Sequence, residues 1–184
     1  MVSDYKEILS DSAKGMKRSA IRELLKLTQK PEIISFAGGL PAKESFPLEQ
    51  LQEICAEVIA TDGAAACQYG STEGVPELLE ILAQRYREQG LSYVTKENIT
   101  IITSSQQGLD TVGKIFLNRG DKYICELPSY LGALGAFNSY GGVAVGIPQD
   151  EQGMSAIELE KTLADMKAKG EKPKFIYLIP DFQN

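Results

Sequence analysis

Histidine is absent from all 184 residues. That removes Ser–His triads, His-ligated metals and His general-base schemes from within this chain, so chemistry must come from Lys, Tyr, Asp/Glu or a borrowed cofactor. Cysteine is scarce. Cys55, Cys67 and Cys125 are odd in number and share no metal-like spacing. They read as buried or incidental thiols in a reducing compartment, with no metal site. No apolar run approaches the ~18 residues of a membrane span, and MVSDYKEILSDSAKGMKRSA lacks the apolar core of a signal peptide. The net charge is −6 and basic residues form no long run, which argues against a nucleic-acid or membrane-surface partner. A cytoplasmic protein is expected. Neither GxGxxG nor GxxxxGK[ST] occurs, so the usual nucleotide fingerprints are missing as well.

What is present begins with helical periodicity. Residues 12–29 read as a first helix, stopped by Pro31, and IISFAGGLP as a short strand entering a Gly-Gly turn. Behind Pro47, the spacing of Leu48, Leu51, Cys55, Val58 and Ile59 predicts a second helix ending at Asp62-Gly63. After the loop CQYGSTEG, Pro76 opens a third, with Leu78, Leu79, Leu82 and Tyr86 as its buried stripe up to Gly90.

From there the rhythm becomes strand–helix alternation. Strands are expected at ITIIT (99–103), KYICELP, VAVGIP and KFIYLIP. Helices are expected at SSQQGLDTVGKIFLNRG, SYLGALGAFNSYGG and SAIELEKTLADMKAKG. Alternation of this kind is the signature of an α/β fold with a parallel sheet and right-handed crossovers. Four such strands make an incomplete layer with open edges, since parallel sheets are normally covered on both faces. The sequence therefore reads as part of a larger fold.

Candidate sites cluster where strands end, because α/β proteins bind ligands beyond the carboxyl ends of their strands. In TSSQQGLD (103–110) a helix opens on hydroxyls and amides. It reads either as a capping box from Thr103 or Ser104 to Gln106 or Gln107, or as a phosphate site on the helix dipole. AGGLP (37–41) reads as a tight turn or as a close backbone approach to a ligand. In ELPSYLG, Tyr130 stands just past a strand end, as a cap on the core or as a plate for a flat ligand. QYGSTEG puts Tyr69 in a polar loop. FIYLIPDFQN ends the chain as a strand followed by the turn that leaves it.

IRELLKLTQKPEIISFAGGLPAKESFP, QYGSTEG, TSSQQGLD, ELPSYLGAL and YLIPDFQN, in this order, resemble the fold-type I aminotransferases that use pyridoxal 5′-phosphate (PLP). The resemblance is to the 2-aminoadipate and kynurenine branch and covers nearly the whole chain. It implies an N-terminal helical arm and the start of a small domain over 1–45. Residues 46–184 would then be the N-terminal part of the large PLP-binding domain, a mostly parallel sheet with flanking helices.

The resemblance also assigns roles. Ser105 and Gln106 would hold the cofactor phosphate, Tyr130 would stack on the pyridine ring, and Asn184 would bond the ring's 3′ oxygen. Tyr69 would reach the phosphate in the neighbouring subunit, implying a homodimer. Gly39 would lie beside the substrate carboxylate. Arg22 would meet a distal substrate carboxylate, or is a solvated helix arginine. In such enzymes the lysine that carries the cofactor, the aspartate on the pyridinium nitrogen and the arginine clamping the α-carboxylate come later. None of the fourteen lysines takes that lysine's place, so no catalytic residue is expected here and the chain alone is expected to be inactive. It would be a piece of a longer enzyme, or one product of a split gene whose C-terminal half is a separate polypeptide. The implied activity moves an amino group from 2-aminoadipate, or from an aromatic or branched amino acid, to a 2-oxo acid such as 2-oxoglutarate. Two other readings stay open. One is a non-catalytic PLP- or phosphate-binding half-domain. The other is the aminotransferase-like domain of a transcription regulator, for which the resemblance leaves no room for a DNA reader.

Overall fold

The computed structural model describes residues 5–15, 33, 41–181 and 183. Its helices are α1 (Asp11–Gly15), α2 (Leu48–Ala66), α3 (Pro76–Glu88), α4 (Ser105–Phe116), α5 (Leu131–Ser139) and α6 (Ala156–Ala168). Its strands are β1 (Lys122–Leu127), β2 (Val143–Asp150), β3 (Gly153–Met154) and β4 (Pro173–Tyr177). Two compact units emerge, Gly39–Thr103 and Met1–Gly38 with Ser104–Asn184. No helix among the described residues is long and apolar enough to cross a membrane.

The 39–103 unit is built on α2 and α3. Helix α3 starts at Pro76, where a missing N–H costs nothing, and buries Leu79 and Ala83. The chain then turns at Gly90, whose φ of 96° suits glycine. It returns through Val94 to a capping box in which the Thr95 N–H donates to Asn98 Oδ1 at 3.0 Å. Arg87 ties the return to the helix: Nη1 donates to the Val94 carbonyl at 3.1 Å and Nη2 to Glu80 at 2.9 Å.

Three expectations change here. Helix α2 does not stop at Asp62-Gly63; it breaks at Asp62 (φ −141°, ψ 26°) and continues to Ala66. The stripe expected to be buried on α3 is so only at Leu79, with Leu82 half-buried and Leu78 and Tyr86 exposed, and the apolar residues of α2, Leu48, Leu51, Val58 and Ile59, are all exposed as well. Periodicity says which face is apolar, not what covers it. The segment 99–103 is extended at Ile99 (φ −120°, ψ 136°) yet joins no ladder among the described residues. A strand needs a neighbour to pair with, and β-branched residues supply only the conformation. The Ile101 N–H instead donates to the Glu73 carbonyl at 2.7 Å.

In the other unit the sheet order is β3-β2-β1-β4. Strand β1 pairs parallel with β2 from Lys122↔Val143 to Leu127↔Pro148 and parallel with β4 as far as Cys125↔Tyr177. The short β3 returns antiparallel to β2, a hairpin the alternation did not announce. Helices α4 and α5 pack on one face. Leu117, Tyr123, Cys125, Ala133, Ala136 and Phe137 form its core, at the centre of which Tyr123 and Phe137 meet edge to face at 5.0 Å. Phe175 of β4 stacks on Tyr123 at 5.6 Å and meets Phe137 at 5.0 Å. Burial pushes the Tyr123 phenol well above its ordinary range; its hydroxyl donates to Asn138 Oδ1 at 3.0 Å. Strand β4 lies at the sheet's edge with Ile176 and Leu178 exposed, so that side of the layer is open among the described residues. Of the predicted first helix only α1 is described; the rest, and most of IISFAGGLP, lies outside the described residues.

Candidate functional site

Helix α4 opens at Ser105. Ser104 precedes it in extended backbone (φ −166°, ψ 171°) and makes no side-chain cap hydrogen bond, so the capping-box reading does not hold at that residue. The Ser104 carbonyl takes the Gln107 N–H at 3.1 Å, which begins the helical ladder. The first turn carries no acidic residue. The positive end of a twelve-residue helix is thus left without a resident negative charge, next to the exposed Ser105 and Gln106 side chains. Gln106 does more than line the site. Its Nε2 donates to the Gly132 carbonyl at 3.3 Å, joining the start of α4 to the start of α5.

Tyr130 is the N-cap residue of α5 (φ −70°, ψ 120°) and is 47% exposed. Its ring lies back over Gly132. A Cβ there would stand 2.6 Å from the ring's Cζ and 2.7 Å from Oη. The missing side chain at 132 is what admits the ring in this position. Between strand and plate, Ser129 Oγ is buried with no hydrogen-bond partner among the described residues. Beneath lie Cys125, whose thiol is pushed up by burial and then by the Glu126 carboxylate, and Tyr177, raised first by burial and then by Tyr130.

Side chains add ties among the ends of β1 and β2 and the segment beyond β4. Gln149 Nε2 donates to the Pro128 carbonyl and to Gln183 Oε1, both at 2.9 Å. Gln183 Nε2 donates to the same Pro128 carbonyl at 3.1 Å. The Ile179 N–H donates to Glu126 Oε2 at 3.0 Å.

Of the sequence-predicted residues, Ser105, Gln106 and Tyr130 fall in one unit at the start of two packed helices. Tyr69 belongs to the other unit, in the loop after α2, with its side chain 99% exposed. Asn184, Gly39 and Arg22 lie outside the described residues. Gly132, Glu126, Gln149 and Gln183 were not singled out from sequence. The signal for Glu126 was available: a carboxylate inside KYICEL, an otherwise buried strand, is out of place unless something bonds it.

A family model described as aminotransferase class I and II matches residues 31–179. The chain belongs to that family. Among curated relatives, aromatic-amino-acid aminotransferase 1 of Thermococcus litoralis is 45% identical over 181 residues, covering 98% of this chain and 43% of its own length. The 2-aminoadipate transaminase of Thermus thermophilus is 43% identical, again over 98% of this chain and 43% of its own. The crystal structure of Pyrococcus horikoshii kynurenine aminotransferase in complex with PMP superposes with a TM-score of 0.87 at 40% identity, over 99% of this chain and 45% of that one. The chain thus spans less than half the length of these relatives. Its solved relatives have the fold-type I aminotransferase fold, and the described helices with a mostly parallel sheet are the α/β architecture expected from the alternation.

The site's donors fit a phosphorylated pyridine cofactor. The start of α4 offers hydroxyl, amide and main-chain donors with no acid competing, and the Tyr130 ring offers an apolar face half open to solvent.

Proposed function

We propose that this chain is the N-terminal, cofactor-holding part of a PLP-dependent aminotransferase. The enzyme would move an amino group between a 2-aminoadipate, aromatic or branched amino acid and a 2-oxo acid such as 2-oxoglutarate. The observation that carries this reading is the start of α4. It is uncapped by Ser104, free of acid in its first turn, and tied by Gln106 to the glycine that seats the Tyr130 ring. Ser105 and the first-turn amides would bind the phosphate, Tyr130 would hold the ring flat and exclude water from one face, and Asn184 would bond the 3′ oxygen. When bound, PLP supplies an electron sink for charge developing at the substrate's Cα. Gly39 and Arg22 are assigned to the substrate's carboxylates. The exposure of Tyr69 suits a side chain that reaches across to a second subunit, so a cytoplasmic homodimer is part of the same proposal.

The lysine that carries the cofactor, and moves the proton at the reacting carbon, is assigned to a segment outside these 184 residues, whether in the same polypeptide or in a separate C-terminal half. The test takes this polypeptide alone and a version extended by a C-terminal half from a relative. Titration with PLP should give saturable binding to both, weakened by inorganic phosphate. Amino-group transfer to 2-oxoglutarate should appear only in the extended protein. Turnover by the 184 residues alone would refute the assignment of the lysine. Binding by both with turnover by neither would favour a non-catalytic PLP binder.

A further inference from the structure

The parallel ladder between β1 and β4 ends at Cys125↔Tyr177. Just beyond it the Ile179 N–H goes to a side chain, Glu126 Oε2 at 3.0 Å. Glu126 is 4% exposed, the buried charged residue among the described ones. By strand alternation it faces away from Tyr123 and Cys125. Burying a carboxylate costs several kcal/mol unless hydrogen bonds compensate it. It is a costly acceptor, and it sits where the sheet's own acceptors run out.

The amides repeat the pattern. Gln149, near the end of β2, donates to the Pro128 carbonyl beyond β1 and to Gln183 beyond β4, and Gln183 donates to Pro128 in turn. The β1–β2 ladder runs to Leu127↔Pro148 and the β1–β4 ladder to Cys125↔Tyr177, and side chains add further ties beyond both. At the strands' other end the ties are ion pairs that water reaches: Lys122 with Glu171, and Lys174 with Asp121 at 3.3 Å. Such pairs tolerate several geometries and contribute little. The glutamine hydrogen bonds, at 2.9 to 3.1 Å, are reached by water too, but two donors on one carbonyl beside a carboxylate that is 4% exposed allow fewer geometries. The fixed end is the one that carries Tyr130, just past Pro128.

We propose that Glu126, Gln149 and Gln183 are positioning residues of the cofactor seat, locking the ends of β1, β2 and β4 so that the ring's plate and the segment after β4 hold one spacing. The proposal rests on the PLP reading above. A rigid supporting shell of this kind is what a precise binding site requires.

The probe is pyridoxamine 5′-phosphate, which has no aldehyde and so reads the seat without any lysine. In the apo protein, Glu126→Leu should speed amide exchange at Ile179 by about tenfold or more, whereas Glu126→Gln, which keeps an acceptor oxygen, should stay near wild type. Gln149→Leu and Gln183→Leu should each weaken the probe's affinity by about tenfold, and the double variant should lose little more than either single, because both amides serve one carbonyl. Unchanged Ile179 exchange in Glu126→Leu, or wild-type affinity in both glutamine variants, overturns the proposal and leaves the PLP reading standing. A wild-type protein that fails to bind the probe removes that reading and the seat with it, while Ile179 exchange still reports whether the strand-end lock exists. Should Glu126→Leu not fold, the glutamine cycle decides alone.

Discussion

Replacing Gly132 by alanine separates the site from the fold. Gly132 lies in the first turn of α5, where alanine gains up to about 1 kcal/mol of helix propensity over glycine. The added Cβ would stand 2.6 Å from Cζ of the Tyr130 ring, well inside contact distance, so the ring must leave. It can leave cheaply, since Tyr130 is 47% exposed and its exit is toward solvent. Stability should therefore stay within about 1 kcal/mol of wild type, on either side. Ring stacking is worth about 0.5–1.5 kcal/mol, so affinity for pyridoxamine 5′-phosphate should fall about 2- to 12-fold. The assay is calorimetric titration of wild type, G132A, Y130A and the double variant, with thermal melts of each apo protein. The cycle should be non-additive, the double variant binding like Y130A, because G132A acts only through the ring. An equal loss from G132A in the Y130A background, or wild-type affinity in G132A, would refute the argument that the bare glycine seats the plate.

Ser105→Asp should move stability and binding in opposite directions: an acid in the first turn of α4 gains about 0.3–1 kcal/mol against the dipole, while its charge repels the phosphate and should abolish saturable PLP binding, read by melts and titration together. Phe137→Ala, removing a ring that is 1% exposed and packed against Tyr123, Phe175 and Tyr177, should cost about 3–5 kcal/mol in denaturant unfolding. Asp121 is held below its ordinary 3.8 chiefly by the hydrogen bond from the Asn118 N–H, and Glu171 below 4.5 chiefly by the one from Lys122. Depressed carboxylates stabilise the fold at neutral pH and lose that contribution as pH falls through their folded values. The acid limb, roughly pH 5 to pH 2, should therefore be shallower in the Asp121→Asn/Glu171→Gln variant.

The elements whose partners are local were legible. Pro76 announced α3, and the run SAIELEKTLADMKAKG announced α6, where the Ser155 hydroxyl accepts the Glu158 N–H at 3.4 Å. The alternation after residue 120 announced three parallel strands. Elements that depend on something distant were not. The β-branched run 99–103 takes an extended shape without a ladder, and the stripe of α2 is apolar without being covered within its own unit. In both cases composition fixes a preference, and the partner that would satisfy it does not follow from the segment itself.

The same division runs through the site. The positions of Ser105, Gln106 and Tyr130 were legible because each sits at a helix start or past a strand end, which any α/β sheet makes useful, while their roles toward a cofactor belong to the proposed function. Gly132 was not, because its role is an absence that matters only once the Tyr130 ring folds back over it. Glu126 lies in β1, Gln149 in β2 and Gln183 in the segment beyond β4, and only the sheet order β2-β1-β4 brings the three together. Polar residues near strand ends are ordinarily read as solvated. Here two amides converge on one carbonyl and a buried carboxylate takes a main-chain N–H. Water could satisfy the exposed amides separately, so it is their sharing of one carbonyl beside a carboxylate that is 4% exposed that calls for an account. Their convergence is therefore the feature that distinguishes a built seat from the ragged end of a sheet.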